Sequence, residues 1–274
     1  MVLSVSGLGS QMALNLVDRT RDRQMESLKS EAQHQRLAEG FRERIASITT
    51  PEEFVKDFEV YSFVMKAHDL EDEIYGKGMI RKILESDPDD DRSLVNRLTN
   101  SDFSALHETM GFTTGSGPQI PDFADTAWQD AMVDRYFETT FRVENAEQNQ
   151  TVGTVLELRE KVADIDNWFD VLKDKELTEF FQRALFLPEE MSGLDVDKQA
   201  KVFEKKFDLE KLSDPDEIDR LVTRFIAISD ILDPPQTTYN SVAISLLNSS
   251  ITGQFVPITL DIPPINYSRA SLYR

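Results

Sequence analysis

The chain has 274 residues, 50 acidic against 30 basic side chains for a formal net charge of −20, and no cysteine. Those figures leave room for one large or two small domains. They exclude disulfides, thiolate metal sites and a cysteine nucleophile, and argue against nucleic acid or an anionic membrane surface as partner. No stretch approaches the roughly twenty apolar residues of a membrane span, so no membrane insertion is expected.

Residues 1–17 carry no charged side chain and are rich in Ser, Gly, Asn and Gln. They read as an uncharged N-terminal tail, without the basic and long apolar regions of a Sec-type signal peptide. Residues 18–46 are highly charged and proline-free, with Met25, Leu28, Ala32, Leu37, Phe41 and Ile45 at near-helical spacing. They predict one long helix whose thin apolar stripe needs a partner face.

Thr50-Pro51-Glu52-Glu53 is a helix start: a capping hydroxyl, proline in the first turn and carboxylates on the positive end of the helix dipole. The run Phe63–Gly76 then finds an ungapped echo in Phe180–Gly193. Phe63, Ala67, Leu70, Glu73 and Gly76 recur as Phe180, Ala184, Leu187, Glu190 and Gly193. A second pair follows in the same order. Ser86, Asp87, Pro88, Asp89, Leu94, Val95 and Arg97 recur as Ser213, Asp214, Pro215, Asp216, Leu221, Val222 and Arg224. Repeats this far apart point to an internal duplication of a helical unit rather than a solenoid. The units are placed at 47–112 and 164–233. A Gly/Pro-rich loop at 113–121 and helices up to 163 join them.

Residues 234–274 are nearly uncharged and read as an irregular C-terminal tail, with a short helix at Ser241–Ser250 and an edge strand near Phe255–Ile262. The expected fold is therefore all-α and multihelical, with an internal duplication and irregular, nearly uncharged ends.

The residues themselves place no catalytic, cofactor or metal site. Asp87, Asp89 and Asp91 alternate as in a calcium loop, but the sixth and twelfth positions hold Arg92 and Leu98 instead of Gly and Glu. Ser86, Asp87, Ser213 and Asp214 fit better as helix caps. His34, His68 and His107 lack ligand spacing and are assigned surface or packing roles. Thr114-Gly-Ser-Gly-Pro118 lacks the strand and the Lys-Ser/Thr of a phosphate loop. Arg97 and Arg224 are expected in structural ion pairs.

Several stretches carry a resemblance. They are Tyr61–Leu70 with Lys82–Asp87, Tyr136–Phe141 with Glu147–Asn149, Leu172–Leu177, Leu194–Ala200, and Arg224 with Phe225. On these the chain resembles an alphaproteobacterial family of uncharacterised all-helical proteins, catalogued as a domain of unknown function and usually encoded in flagellar gene clusters. The resemblance implies a non-enzymatic flagellum-associated structural or assembly protein. It also implies protein partners and a location at the flagellum or export by the type III route without a cleaved signal. A cytoplasmic adaptor or chaperone-like factor is the alternative. The uncharged ends fit segments that order on meeting partners, with Leu3, Val5, Leu8, Phe255, Ile258 and Leu260 as candidate contacts.

Overall fold

The computed structural model describes residues 2–112 and 121–233. The described residues are all helical or connecting, with no strand among them. The expected C-terminal helix and strand, the contacts Phe255, Ile258 and Leu260, and most of the loop at 113–121 lie outside them.

The helices are α1 (Ser10–Ser30), α2 (Ala32–Ile45), α3 (Pro51–Lys56), α4 (Phe58–Ala67), α5 (Lys77–Leu84), α6 (Leu94–Arg97) and α7 (Ser101–Met110). They continue with α8 (Thr126–Gln148), α9 (Gln150–Lys161), α10 (Trp168–Lys173), α11 (Lys175–Ala184), α12 (Val196–Lys206) and α13 (Pro215–Leu232). The sequence predicted a tail to residue 17 and one helix over 18–46. Instead α1 starts at Ser10, crosses that boundary, and breaks at Glu31, whose extended backbone (φ −67°, ψ 126°) separates α1 from α2. The uncharged start of α1 still has an apolar face: Ala13, Leu14 and Val17 are buried, and burial decides what the charge pattern could not.

The two halves share helix boundaries at a displacement of 117 residues. Pro51 to Trp168, Lys56 to Lys173, Phe58 to Lys175 and Ala67 to Ala184 are the matched ends of α3/α10 and α4/α11. The second helix of each pair is capped by an aspartate, Asp57 accepting from Val60 N–H and Asp174 from Glu176 and Leu177 N–H. Both helices close alike. Leu70 N–H donates to Met65 O at 2.8 Å, and Leu187 N–H to Gln182 O at 2.8 Å. The preceding residues, Asp69 (φ 57°) and Phe186 (φ 55°), are the non-glycine residues in the left-handed region among the described residues. This is the six-to-one closure of a helix C-terminus.

The correspondence extends upstream of the units predicted from sequence. α1 and α2 are a long and a shorter helix parted by Glu31; α8 and α9 are a long and a shorter helix parted by Asn149. Ala38 and Phe41 on α2 line up with Val155 and Leu158 on α9, all buried.

One apolar core joins the halves. α4 packs on α2 and α8, and α11 on α9 and α13. Phe63 stacks on Phe41 (centroids 4.6 Å apart) and on Tyr136 of α8 (4.3 Å). Its counterpart Phe180 lies 4.7 Å from Phe225 of α13. Each such pair adds about 0.5–1.5 kcal/mol beyond its buried area. α13 thus covers the second half as α8 covers the first.

The repeated Ser-Asp-Pro-Asp stretch behaves differently at its two places. Asp214 caps α13, accepting from Asp216 N–H, with Pro215 in the first turn. Ser213 donates its hydroxyl to Glu210 O at the end of a 3-10 turn (Leu209–Ser213). Ser86 and Asp87 start no helix. Ser86 Oγ donates to Lys82 O, Asp87 accepts from Asp89 N–H, and Asp90 from Arg92 N–H. The physical reason lies downstream. Leu221, Val222, Phe225 and Ile226 give α13 a buried face, whereas α6 has only Val95 to bury and lasts four residues.

Candidate functional site

Two features could act. The first is a buried charge network at the centre of the second half. Arg142 on α8 is nearly inaccessible and reaches Asp69 Oδ2 at 2.9 Å, Glu157 Oε2 at 3.4 Å and Glu160 Oε2 at 3.4 Å. Lys161 on α9 reaches Asp174 Oδ2 at 2.6 Å, Glu157 Oε1 at 2.8 Å and Asp102 Oδ1 at 3.2 Å. Glu176 on α11 accepts from Gln150 Nε2 at 3.3 Å and Thr154 Oγ1 at 3.5 Å. Glu157 and Asp174 keep only 4% and 7% of their side-chain surface exposed.

Burial opposes the charge of Arg142 and Lys161, but the surrounding carboxylates, Glu157 foremost, outweigh it and hold both cations protonated more firmly than usual. Burial likewise pushes Asp102 up against the pull of Lys161. Glu176 is pushed up to about 8, first by burial and then by the adjoining Glu157 carboxyl.

The first half holds a reduced version at the same displacement. Arg44 Nε donates to Asp57 Oδ2 at 2.8 Å and Arg44 Nη1 lies 3.4 Å from Glu59 Oε2. Arg44, Asp57 and Glu59 correspond to Lys161, Asp174 and Glu176. This triad is more open to solvent: Arg44 and Glu59 keep 47% and 61% of their side-chain surface exposed.

The second feature is a groove of about 1000 Å³ between α11, the C-terminal end of α13 and a 3-10 turn (Glu189–Gly193), floored by Thr178, Gln182 and Leu187. Phe186 and Leu232 line it, 72% and 55% exposed, and Ile231 next to Leu232 is 78% exposed. A bulky side chain in the left-handed region is strained by about 1–2 kcal/mol, and an exposed ring recovers little of that by packing. Such outliers cluster where a function retains them. In the first half α7 packs on α5 and α6, with Leu106 and Met110 buried, and Phe112 beyond it lies 6.2 Å from Phe54.

The sites expected from sequence fare unevenly. Leu3 is exposed and Leu8 half-buried, but Val5 is fully buried, its N–H donating to Gln148 Oε1 at 2.7 Å. Val5 is therefore core rather than contact surface. The three histidines are buried. His34 Nδ1 meets Tyr136 Oη at 2.8 Å, and His107 Nε2 lies 3.0 Å from Ser86 O. His68 has no hydrogen-bond partner on either nitrogen, and burial pushes it down to about 3. Arg97 and Arg224 are exposed and pair with no acidic group among the described residues. Among those residues no cluster of three or more His, Asp or Glu could hold a metal ion, and no helix is long and apolar enough to cross a membrane.

The family described as "Protein of unknown function (DUF1217)" matches residues 67–218, more than half of the chain. Every member of the charge network falls inside that span. No curated protein matches. Among solved structures, the crystal structure of protein AGR_C_984 from Agrobacterium tumefaciens is similar, with a TM-score of 0.73 and 26% identity. The likeness covers 85% of this chain and 98% of that one.

Proposed function

The chain belongs to the family described as a protein of unknown function, DUF1217, and from that premise we propose that it is a non-enzymatic structural or assembly protein of the flagellum. It works by binding another protein and reaches its place by the type III export route. We read the two matching halves as a duplicated helical unit whose second copy carries an open groove beside α11. The observation that carries the reading is Phe186, an exposed aromatic ring held in a strained backbone beside that groove. The partner is a protein segment bearing apolar side chains that would cover the exposed Phe186, Ile231 and Leu232.

One observation favours a second reading, a cytoplasmic adaptor for a flagellar component. The N-terminal segment is fastened to the body: Val2 and Val5 are buried and their N–H groups donate to Glu144 and Gln148 of α8.

Affinity capture from a motile strain tests both, comparing the wild-type chain with F186D and I231D. The expected result is one flagellar protein at a fixed ratio with wild type, lost with both variants, and the chain itself present in purified filaments or the medium. Capture of that protein with the chain confined to the cytosol would establish the adaptor. No flagellar protein in the wild-type capture would overturn both.

A further inference from the structure

The second half carries a carboxyl pair that the first lacks. Gly40 stands at the place of Glu157, and a Cβ built on it would lie 3.5 Å from Glu59 Oε2, the counterpart of Glu176. The first-half triad therefore has room for one carboxylate between α2 and α4, and solvent on its open side. In the second half Glu157 stands there on α9, one turn past Thr154, whose hydroxyl lies 3.5 Å from Glu176 Oε2, and the adjoining Glu157 carboxyl helps push Glu176 up. Glu157 draws on both Arg142 and Lys161, while Glu176 has no cation within pairing distance among the described residues and leans on the neutral groups of Gln150 and Thr154.

The charge balance favours holding a proton. Six carboxylates (Asp69, Asp102, Glu157, Glu160, Asp174 and Glu176) surround two cations, Arg142 and Lys161. Two adjoining carboxyl groups, one of them buried, resist ionising together. We propose that the α9–α11 joint is a proton-operated latch, in which one proton shared between Glu157 and Glu176 fastens the first turn of α11 to α9 and alkaline pH releases it.

On release the Glu176 hydroxyl gives its proton to water or hydroxide, and two carboxylates then face each other across the joint. The other charged groups around Glu176 are Arg142 from α8, which opposes the release, and Asp174 at the cap of α11, which favours it. α10 and α13 also pack on α11; there Lys173 pairs with Asp170, Arg220 with Glu217, Asp230 accepts from Ser10, Asp233 just past α13 pairs with Arg183, and Arg224 is exposed. Release is local, because Phe180 and Phe181 anchor the rest of α11 in aromatic contacts with Phe225 and Trp168. The other face of α11 supplies Thr178 and Gln182 to the groove floor, so the latch lies directly behind that surface. The latch stands whether or not the groove binds a partner.

The test uses the full chain between about pH 6 and pH 9.5, a window set around the raised Glu176 value of about 8. Infrared difference spectra should show a protonated carboxyl in wild type that disappears with a midpoint near pH 8 and is missing in E176Q. Amide hydrogen exchange, corrected for its intrinsic pH dependence, should accelerate about tenfold or more in residues 175–179 of wild type alone. The conservative variant E157Q, which keeps a hydrogen bond to Glu176, should also lose the transition, and provides the second reading if E176Q fails to fold. A protonated-carboxyl signal unchanged in both variants, or exchange that accelerates equally throughout the chain, would overturn the latch.

Discussion

Asp69 and Phe186 occupy the same backbone position in the two halves, 117 residues apart, and both adopt the left-handed conformation, at φ 57° and 55°. Their side chains have diverged. Asp69 turns inward to Arg142 at 2.9 Å, whereas Phe186 stands in solvent.

That difference makes F186G a stabilising change. Glycine removes a backbone cost of about 1–2 kcal/mol and loses little packing, so a net gain of about 1 kcal/mol is expected. In a chain of this size that raises the melting temperature by about 2–4 °C. Thermal unfolding of F186G beside wild type checks this, and a loss of stability would mean that the ring packs after all.

Arg142 is expected to be the most costly single position in the charge network. R142M keeps the volume but strands Asp69, Glu157 and Glu160 without their shared cation. Breaking a buried pair in this way costs about 3–5 kcal/mol. Removing the exposed Arg44 by R44M should cost under about 1 kcal/mol, since its triad is open to solvent. Urea unfolding of the two variants reads the contrast, and equal losses would refute the assigned burial.

Gly153 marks a close approach of α8 and α9. A Cβ there would sit 2.3 Å from Ala146 Cβ and 2.8 Å from Ala146 Cα. Neither atom belongs to a flexible side-chain end, so the helices must part. G153A should lose about 1–3 kcal/mol as an overpacking change. G78A, with open space around its Cβ position, should be neutral or slightly stabilising.

His68 sets an acid-sensitive limb. Its folded value is pushed down to about 3 by burial, from an ordinary 6.5. As pH falls below about 6.5 the unfolded chain takes up a proton that the folded chain refuses, and stability drops by up to about 1.4 kcal/mol per pH unit. The loss ends once pH falls through the folded value. The matching residue in the second half is Leu185, buried in the same corner. H68L should therefore flatten the acid limb between about pH 6 and pH 4 while leaving stability at pH 7 equal or higher. A limb as steep as that of wild type would place the sensitivity elsewhere.

How far the sequence reveals this molecule depends on the kind of signal. The all-helical class and the matching corners at Phe63–Gly76 and Phe180–Gly193 were legible because local rules govern them: apolar spacing and small residues at turns. The larger correspondence of α1–α2 with α8–α9 was not legible. Their shared feature is a backbone break, at Glu31 in one and Asn149 in the other, with little side-chain identity around it. The charge network was hidden by abundance, since 50 acidic residues give no reason to single out Glu157. The one available clue was Glu157 standing 117 residues after Gly40, and it takes α2 and α9 in register to see it. The capping roles of Ser86 and Asp87 failed because a cap needs a helix with a face to bury, which the residues after Asp91 do not supply.

The pinned N-terminus has a practical side. Glu144, Gln24 and Gln148 hold the N–H groups of Val2, Leu3 and Val5, and the start of α1 is tied to α13 through Ser10 and Asp230. A bulky label fused ahead of residue 2 would strain three hydrogen bonds and two buried valines. An amino-terminal fusion that abolishes motility would thus report damage to the helical body rather than loss of an export address, and only a small internal tag in an exposed turn such as Asp87–Arg92 separates the two.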